Sequence, residues 1–414
     1  MRLAWVYPED LLPHQLVQSR AEGVDVAAAT RRWTEASGSI EHLRKLAAEL
    51  LAELDAATPP PDPIVVPSLD RLPAATNLSE RVLGGWTGRA AGCLLGKPVE
   101  GLSPDQIREV LTASGQWPPR AYITSEGVPG EVHWHHSADK SLRENLDGMP
   151  EDDDLNYAIL ALQLLERHGH ELTTDDVATA WLWDLPAGRT FTAERVVYRN
   201  LLDGVPVEKA ALVGNPFREW IGAQIRADVY GWANPGDRTA AGRLAVIDAR
   251  LSHTRAGVQG AVWVAAMSAA ALSLDDATDV VNAGLEAIPA DSEIAMAVRL
   301  GLSLAGTGLD DALAELYTTY QGMHWVHAVN NSALTAYALA AASGDFETGI
   351  AIATMGGWDT DSVGATVGAV LGALHGVPDK WARPLDNRIA TSLPGMNGVA
   401  IDALAARTLE VMKR

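Results

Sequence analysis

Glycine recurs at every fourth position in two places: Gly84, Gly88, Gly92 and Gly96, and later Gly364, Gly368, Gly372 and Gly376. A step of four keeps residues on one face of an α-helix. An interior helical glycine costs roughly 1 kcal/mol against alanine, so four in register need a compensating gain. Such a stripe lets another backbone approach closely. Two readings stay open. The stripes simply permit tight helix packing, or they draw two helix ends together so that the adjoining loops share a site.

The rest of the chain agrees with helices. Apolar residues recur with helical spacing over 80–95, 155–168, 174–183, 239–251, 258–274, 277–287, 292–304, 309–317, 331–342, 346–354 and 362–375, and little alternates with period two. The connectors carry Gly, Pro and Asp, as in Asn234-Pro235-Gly236-Asp237. Alanine and leucine are abundant and Phe occurs only 3 times, which favours close-packed helices over sheets. An all-α architecture is expected. Residues 1–56 read as a small helical extension, with a stripe of Leu43, Leu46, Leu50, Leu51 and Leu54. Residues 57–77 form a connector around Pro59-Pro60-Pro61, Pro63 and Pro67 that cannot be helix. The main domain then runs from 78 to 414, and the extension is expected to be dispensable for chemistry. Residues 118–137 are hard to assign, and 184–216 read as irregular or as short helices.

With 47% hydrophobic residues in 414, the chain can bury a large core. A net charge of −21 repels phosphate backbones and anionic lipid, so neither nucleic-acid nor membrane-surface binding is expected. The longest apolar run, at 261–272, is shorter than the ~20 residues of a membrane span. Pro8-Glu9-Asp10 interrupts the N-terminus before a signal-peptide core can form. A cytoplasmic protein is expected. The single Cys93 allows neither an internal disulfide nor a thiolate zinc cluster of its own.

Two acidic turns stand out. Asp359-Thr360-Asp361-Ser362 follows Gly356-Gly357-Trp358 and opens the second glycine helix. Glu151-Asp152-Asp153-Asp154 precedes the helical face Leu155, Ile159, Leu162 and Leu165, which Gly169 ends. A structural account of the latter is an N-cap with an acidic first turn, favoured by the helix dipole. Three successive carboxylates exceed what a cap requires, and their repulsion calls for protonation or a cation. Carboxylates with an adjacent hydroxyl are hard oxygen donors suited to Mg²⁺. His133, His135 and His136 invite a zinc reading, but the stretch has no nearby Cys and a solvated or substrate-rim loop is expected instead.

Three segments carry a resemblance: GGWTGRAAGCLLGKPVEG at 84–101, PEDDDLNYAILAL at 150–162 and GGWDTDSVGATVGAVLGALHG at 356–376. In order and approximate spacing they resemble the signature segments of the ADP-ribosylglycohydrolase family, over roughly 78–385. The resemblance implies an all-α fold with two Mg²⁺ ions between two acidic loops. It places one ligand set at Asp152, Asp153 and Asp154, and the other at Asp359, Asp361 and Ser362. Asp152 and Ser362 each stand where the family has threonine, and a register beginning at Glu151 stays open. Glu100 matches a flap glutamate that ligates metal or handles a proton, and Glu100, Asp153 and Asp361 become the expected catalytic carboxylates. Lys97 stands where many members have aspartate. His253, the Gly222–Arg226 segment, His327 and Asn331 resemble substrate-side positions, and Trp358 is a candidate pocket wall. A structural role for either histidine is an equal alternative.

Cleavage at an anomeric carbon passes through an oxocarbenium-like state that nearby carboxylates stabilise. Two Mg²⁺ ions would orient the ribose hydroxyls and a water, with no covalent enzyme intermediate. The expected substrate is an ADP-ribosylated acceptor or a related ribosyl metabolite. Two other classes compete: a non-catalytic ADP-ribose or nucleoside sensor on the same scaffold, and a Mg²⁺-dependent prenyl-diphosphate lyase. The latter would want more aromatic shielding than 3 Phe suggest. The oligomeric state is not legible.

Overall fold

The structure, a computed structural model, describes residues 2–130, 132 and 134–414. The architecture is all-α, with one short antiparallel pair, Arg388–Ile389 and Val399–Ala400, among the described residues. Eight helices position the site: α1 (Pro8–Ala21), α2 (Ile40–Ala57), α3 (Leu78–Gly96), α4 (Asp153–His168), α5 (Thr192–Leu202), α6 (Arg255–Ala271), α7 (Ala328–Ala341) and α8 (Thr360–His375). No helix is long and apolar enough to cross a membrane.

Helices α3 and α8 form the spine, running antiparallel in a fixed register. A Cβ added at Gly84, Gly88 or Gly92 would overlap the carbonyl oxygen of Gly372, Gly368 or Gly364 respectively. The reverse holds for a Cβ on the α8 glycines. Only glycine allows backbones this close, which recovers the propensity lost along both stripes. The stripes are offset by one step from the pattern read in the sequence. Gly96 meets the carbonyl of Thr360, whose hydroxyl donates to Gly96 O at 2.8 Å. Gly376 takes no part; at φ 76° it ends α8. The end of α3 therefore lies beside the start of α8.

Local signals explain the other elements. Asp152 caps α4 by accepting from Asp154 N at 2.9 Å, and Gly169 at φ 57° ends it. Ser39 caps α2, whose buried Leu50, Leu51 and Leu54 follow the expected stripe. Helix α5 and the four-residue helix Val207–Ala210 agree with the reading of 184–216 as irregular or short helices. One correction is the helix Pro104–Ala113, which sits behind a full capping box, Ser103 with Gln106.

The extension is docked rather than tethered. Leu11, Leu12, Leu16, Leu50 and Leu54 bury against Ala193, Val196, Phe217 and Trp220. Glu22 pairs with Arg218 at 2.5 Å with both side chains 2% exposed, and Gln18 donates to Glu219 at 2.8 Å. The connector is tied down as well: Leu72 N donates to Gly236 O, and Ala75 N to Leu272 O.

Candidate active site

Three helix ends meet at the closed end of the spine: the C-terminus of α3 and the N-termini of α4 and α8. Beyond α3 the chain makes one tight turn, Lys97–Val99, and reaches Glu100. Gly101 N donates to Trp358 O at 3.1 Å, so the Glu100 loop is anchored to the second acidic turn. In that turn Gly357 and Trp358 are both left-handed, at φ 71° and 58°. A Cβ on Gly357 would also crowd the Tyr317 hydroxyl, so glycine is required there. Trp358 stacks on Tyr317 with ring centres 4.5 Å apart. Asn331 on α7 accepts from Asp359 N at 3.3 Å, while its amide donates to Trp325 O and His327 O at 2.8 Å each. Asn331 thus positions the turn.

The acidic side chains fall into two groups that share Asp361. Glu100, Asp359 and Asp361 place carboxylate oxygens within 4.8 Å of one another, as do Cys93, Asp152, Asp154 and Asp361 with their ligand atoms. Ser362 Oγ bridges the groups by donating to Asp154 at 3.2 Å. Burial, reinforced by the neighbouring negative charges, pushes Glu100, Asp153, Asp154 and Asp359 well above the usual carboxylate range. Asp152 goes the other way: burial raises it, but the Lys97 ammonium overrides that and holds it below the usual range.

What opposes the charge differs between the groups. The Lys97 ammonium, itself buried, pairs directly with Asp152 Oδ2, and the other oxygen of Asp152 carries the α4 cap. Arg89, fully buried, donates to Asp154 Oδ1 at 3.2 Å and to Asp228 Oδ2 at 2.5 Å. Each oxygen of Asp152 and Asp154 thus already accepts a protein donor. In the group Glu100, Asp359 and Asp361, Ser362 N donates to Asp361 Oδ1 at 3.0 Å, and His135 Nδ1 lies 3.2 Å from Glu100. Burial, then neighbouring His136, lowers His135 to about 4, so it carries no charge near neutrality. This hard-oxygen group fits a divalent ion such as Mg²⁺; the Asp152–Asp154 side already faces two cations of the protein, Lys97 and Arg89.

The other residues read from the sequence are placed as follows. Glu151 pairs with Arg189 at 3.0 Å and belongs to neither group of close-set carboxylates. Asp153, half-buried, faces the charges of Asp152 and Asp361. The resemblance implies a substrate contact for Arg226, but this side chain is 2% exposed and spent on Asp248 (2.5 Å), Glu194 (2.8 Å), Gly222 O and Ser252 Oγ. Gly222 leaves room for the Glu194 carboxylate, which a Cβ would strike. These two residues form a buried scaffold. His253 bonds Ser252 Oγ at 2.8 Å, and its Nε2 is without a partner among the described residues. Burial and the Arg226 charge keep it neutral. It borders a cavity of about 420 Å³ under connector residues Pro61–Ile64 rather than the carboxylates. His327 caps α7, and burial holds it down at about 4. His133 lies outside the described residues; His135 and His136 pack ring against ring at 4.0 Å.

Three site residues escape the sequence reading: Arg89, Cys93 and Glu194. Arg89, Cys93 and Lys97 follow one another at four-residue steps, one position beyond Gly88, Gly92 and Gly96. The same periodicity that marks the glycines marks these side chains. Glu194 gives no such signal, because the sequence does not bound α5 itself.

The comparisons with known proteins agree with this geometry. The model of the ADP-ribosylglycohydrolase family matches residues 74–414. An uncharacterised protein of Archaeoglobus fulgidus is 26% identical over 306 residues, 73% of this chain and 90% of that one. A solved structure described as an ADP-ribosylglycohydrolase-related protein complex superposes with a TM-score of 0.50 at 19% identity, over 82% of this chain and 99% of its own, a likeness of fold. From the antiparallel glycine spine, the carboxylates at its end and the match across most of its length, the chain belongs to the ADP-ribosylglycohydrolase family.

Proposed function

We propose that the chain is a Mg²⁺-dependent glycohydrolase that cleaves the anomeric N- or O-glycosidic bond of an ADP-ribosylated acceptor or a related ribosyl metabolite. The observation that carries this reading is the group Glu100, Asp359 and Asp361: three carboxylates held together by a rigid helix pair, with no paired cation among the described residues. Glu100, Asp359 and Asp361 would hold the ion, which supplies a Lewis acid and an anchor for sugar hydroxyls. Glu100 is the most accessible of the three, with its side chain 17% exposed. Reached directly after the Lys97–Val99 turn and facing Asp359 and Asp361, it is the group that takes or returns the proton of the attacking water. Asp153 and Asp361 place negative charge where the ribosyl carbon becomes positive. Trp358, stacked on Tyr317, forms an apolar wall, while buried Asn331, tied to His327 O, holds the Asp359 turn in place. The catalytic unit in this reading is 78–414, acting in the cytoplasm on a small-molecule or ADP-ribosylated substrate.

The test is a release assay with ADP-ribosylated arginine and serine, ADP-ribosylated nucleic-acid ends and free ribonucleosides, each with Mg²⁺ and with chelator. Mg²⁺-dependent release from at least one ribosyl substrate is expected. Tight ADP-ribose binding with no release from any substrate, even in a single turnover, would sink the enzymatic reading in favour of a sensor.

A further inference from the structure

We infer that the Lys97 ammonium permanently occupies the position of a second cation, so that this chain binds one divalent ion where its family architecture offers room for two. The inference rests on the metal dependence proposed above and concerns how many ions the site takes. Lys97 follows α3 directly, four residues after Cys93, and its side chain enters between the acidic turns with only 7% of its surface exposed. Its nitrogen pairs with Asp152 Oδ2 and lies within the field of Asp361 and the Cys93 thiol. Cys93, Asp152, Asp154 and Asp361 have the mutual spacing of a metal site. Yet Asp152 accepts from Lys97 and from Asp154 N, and Asp154 accepts from Arg89 and from Ser362 Oγ. A divalent ion bound through Asp152 would have to displace the buried Lys97 ammonium or lie beside it. Beside it, the ion would share the space with a full positive charge, a repulsion that low-dielectric surroundings amplify. The group Glu100, Asp359 and Asp361 sets no such obstacle. The ammonium also brings three donors in place of a Lewis acid, so at this half of the site a ribosyl hydroxyl would be held by hydrogen bonds.

Mn²⁺ is the probe. Calorimetric titration of the full chain counts the ions, and the electron paramagnetic resonance spectrum shows whether they are paired. Wild type is expected to bind one Mn²⁺ per chain, with the sharp six-line signal of an isolated ion. Lys97→Met keeps the length of the side chain and removes its charge, so Asp152 is freed. This variant should bind a second Mn²⁺, and the signal should broaden as the two ions couple. The double variant Lys97→Met/Asp152→Asn removes both charges and should return to one. Two coupled ions in wild type would overturn the inference and leave the Mg²⁺-dependent reading intact. No bound ion in wild type would overturn both. A folded Lys97→Met chain that still takes one ion would show that the ammonium is not what excludes the second. If that variant does not fold, the wild-type count and spectrum decide alone.

Discussion

The two acidic turns look alike locally and differ in what faces them. Each opens a long helix, and each begins with an aspartate at the N-cap position, Asp152 for α4 and Asp359 for α8. In both, the helix dipole favours the charge. Helix α3 separates them chemically. It sends Arg89 and Lys97 to Asp154 and Asp152, and then, one turn on, sends a further carboxylate, Glu100, to Asp359 and Asp361. One turn thereby gains two cations, of which Arg89 is shared with Asp228, and the other gains a third carboxylate. In the inference drawn above, capacity for a metal is set by the third element that meets a turn, which a count of aspartates along the chain misses.

The sharpest way to break this contrast is Asp361→Ala. Asp361 belongs to both groups, so its loss leaves neither with three oxygen donors. Turnover is expected to fall by roughly 10⁴-fold, several kcal/mol of transition-state stabilisation, and the rise in melting temperature with Mg²⁺ should disappear. Asp152→Asn, on the cation-paired turn, should keep that rise. Equal Mg²⁺ shifts in wild type and Asp361→Ala would place the ion elsewhere. Next in size is Glu100→Gln. It retains shape and the anchored loop but loses the basic oxygen, so kcat should drop roughly 10²–10⁴-fold with little change in nucleotide affinity. Normal turnover in this variant would remove Glu100 from the chemistry.

On the cation-paired turn the expected effects fall on stability. Arg89→Met strands Asp154 and Asp228, both essentially buried, without their shared cation. Removing one partner of such a pair costs about 3–5 kcal/mol, to be read from denaturant unfolding; a loss below about 1 kcal/mol would mean the carboxylates are neutral without it. Gly92→Ala tests the spine that brings both turns together. Its methyl would overlap Gly364 O, which is backbone and cannot step aside. Overpacking of this kind costs about 1–3 kcal/mol, and the displaced helix end should also weaken Mg²⁺ binding. A Gly92→Ala chain as stable as wild type would contradict the close approach.

Much of this arrangement is legible in the sequence. Stripe spacing locates α3 and α8 to within about two residues of their ends, and the two acidic turns mark where they meet. Local chemistry that can be read within one turn of helix is thus available. What the sequence hides depends on partners far away in the chain. Helix α5 lacks a side-chain cap at Phe191, and its Ala193 and Val196 are buried only because α1, Phe217 and Trp220 come to cover them. The docking of residues 1–56 rests on pairs such as Glu22 with Arg218, which no local pattern announces. The buried pairing of Arg226 is hidden for the same reason: its partners Glu194 and Asp248 lie on separate segments. The helix at Pro104 is a different case, since Ser103-Pro104-Asp105-Gln106 carries the capping signal openly.

The smallest expected effect tests the register of the cation-paired turn. Glu151 precedes Asp152 directly, and from the sequence alone either could begin a ligand set. In the structure the chain turns between them. Asp152 is buried under Lys97, whereas Glu151 keeps 21% of its side chain exposed and pairs with Arg189, itself 55% exposed. It accepts one further bond, from Asn156 at 3.3 Å. An exposed pair of this kind contributes about 0–1 kcal/mol, and glutamine can still accept from Asn156. Glu151→Gln should therefore change stability by less than about 0.5 kcal/mol and leave Mn²⁺ affinity and stoichiometry unaltered. A measurable loss of metal affinity in this variant would mean that the acidic turn is used one residue earlier than its geometry indicates. Asp152 would then be the spectator, and the division between a cation-paired and an uncompensated turn would have to be redrawn.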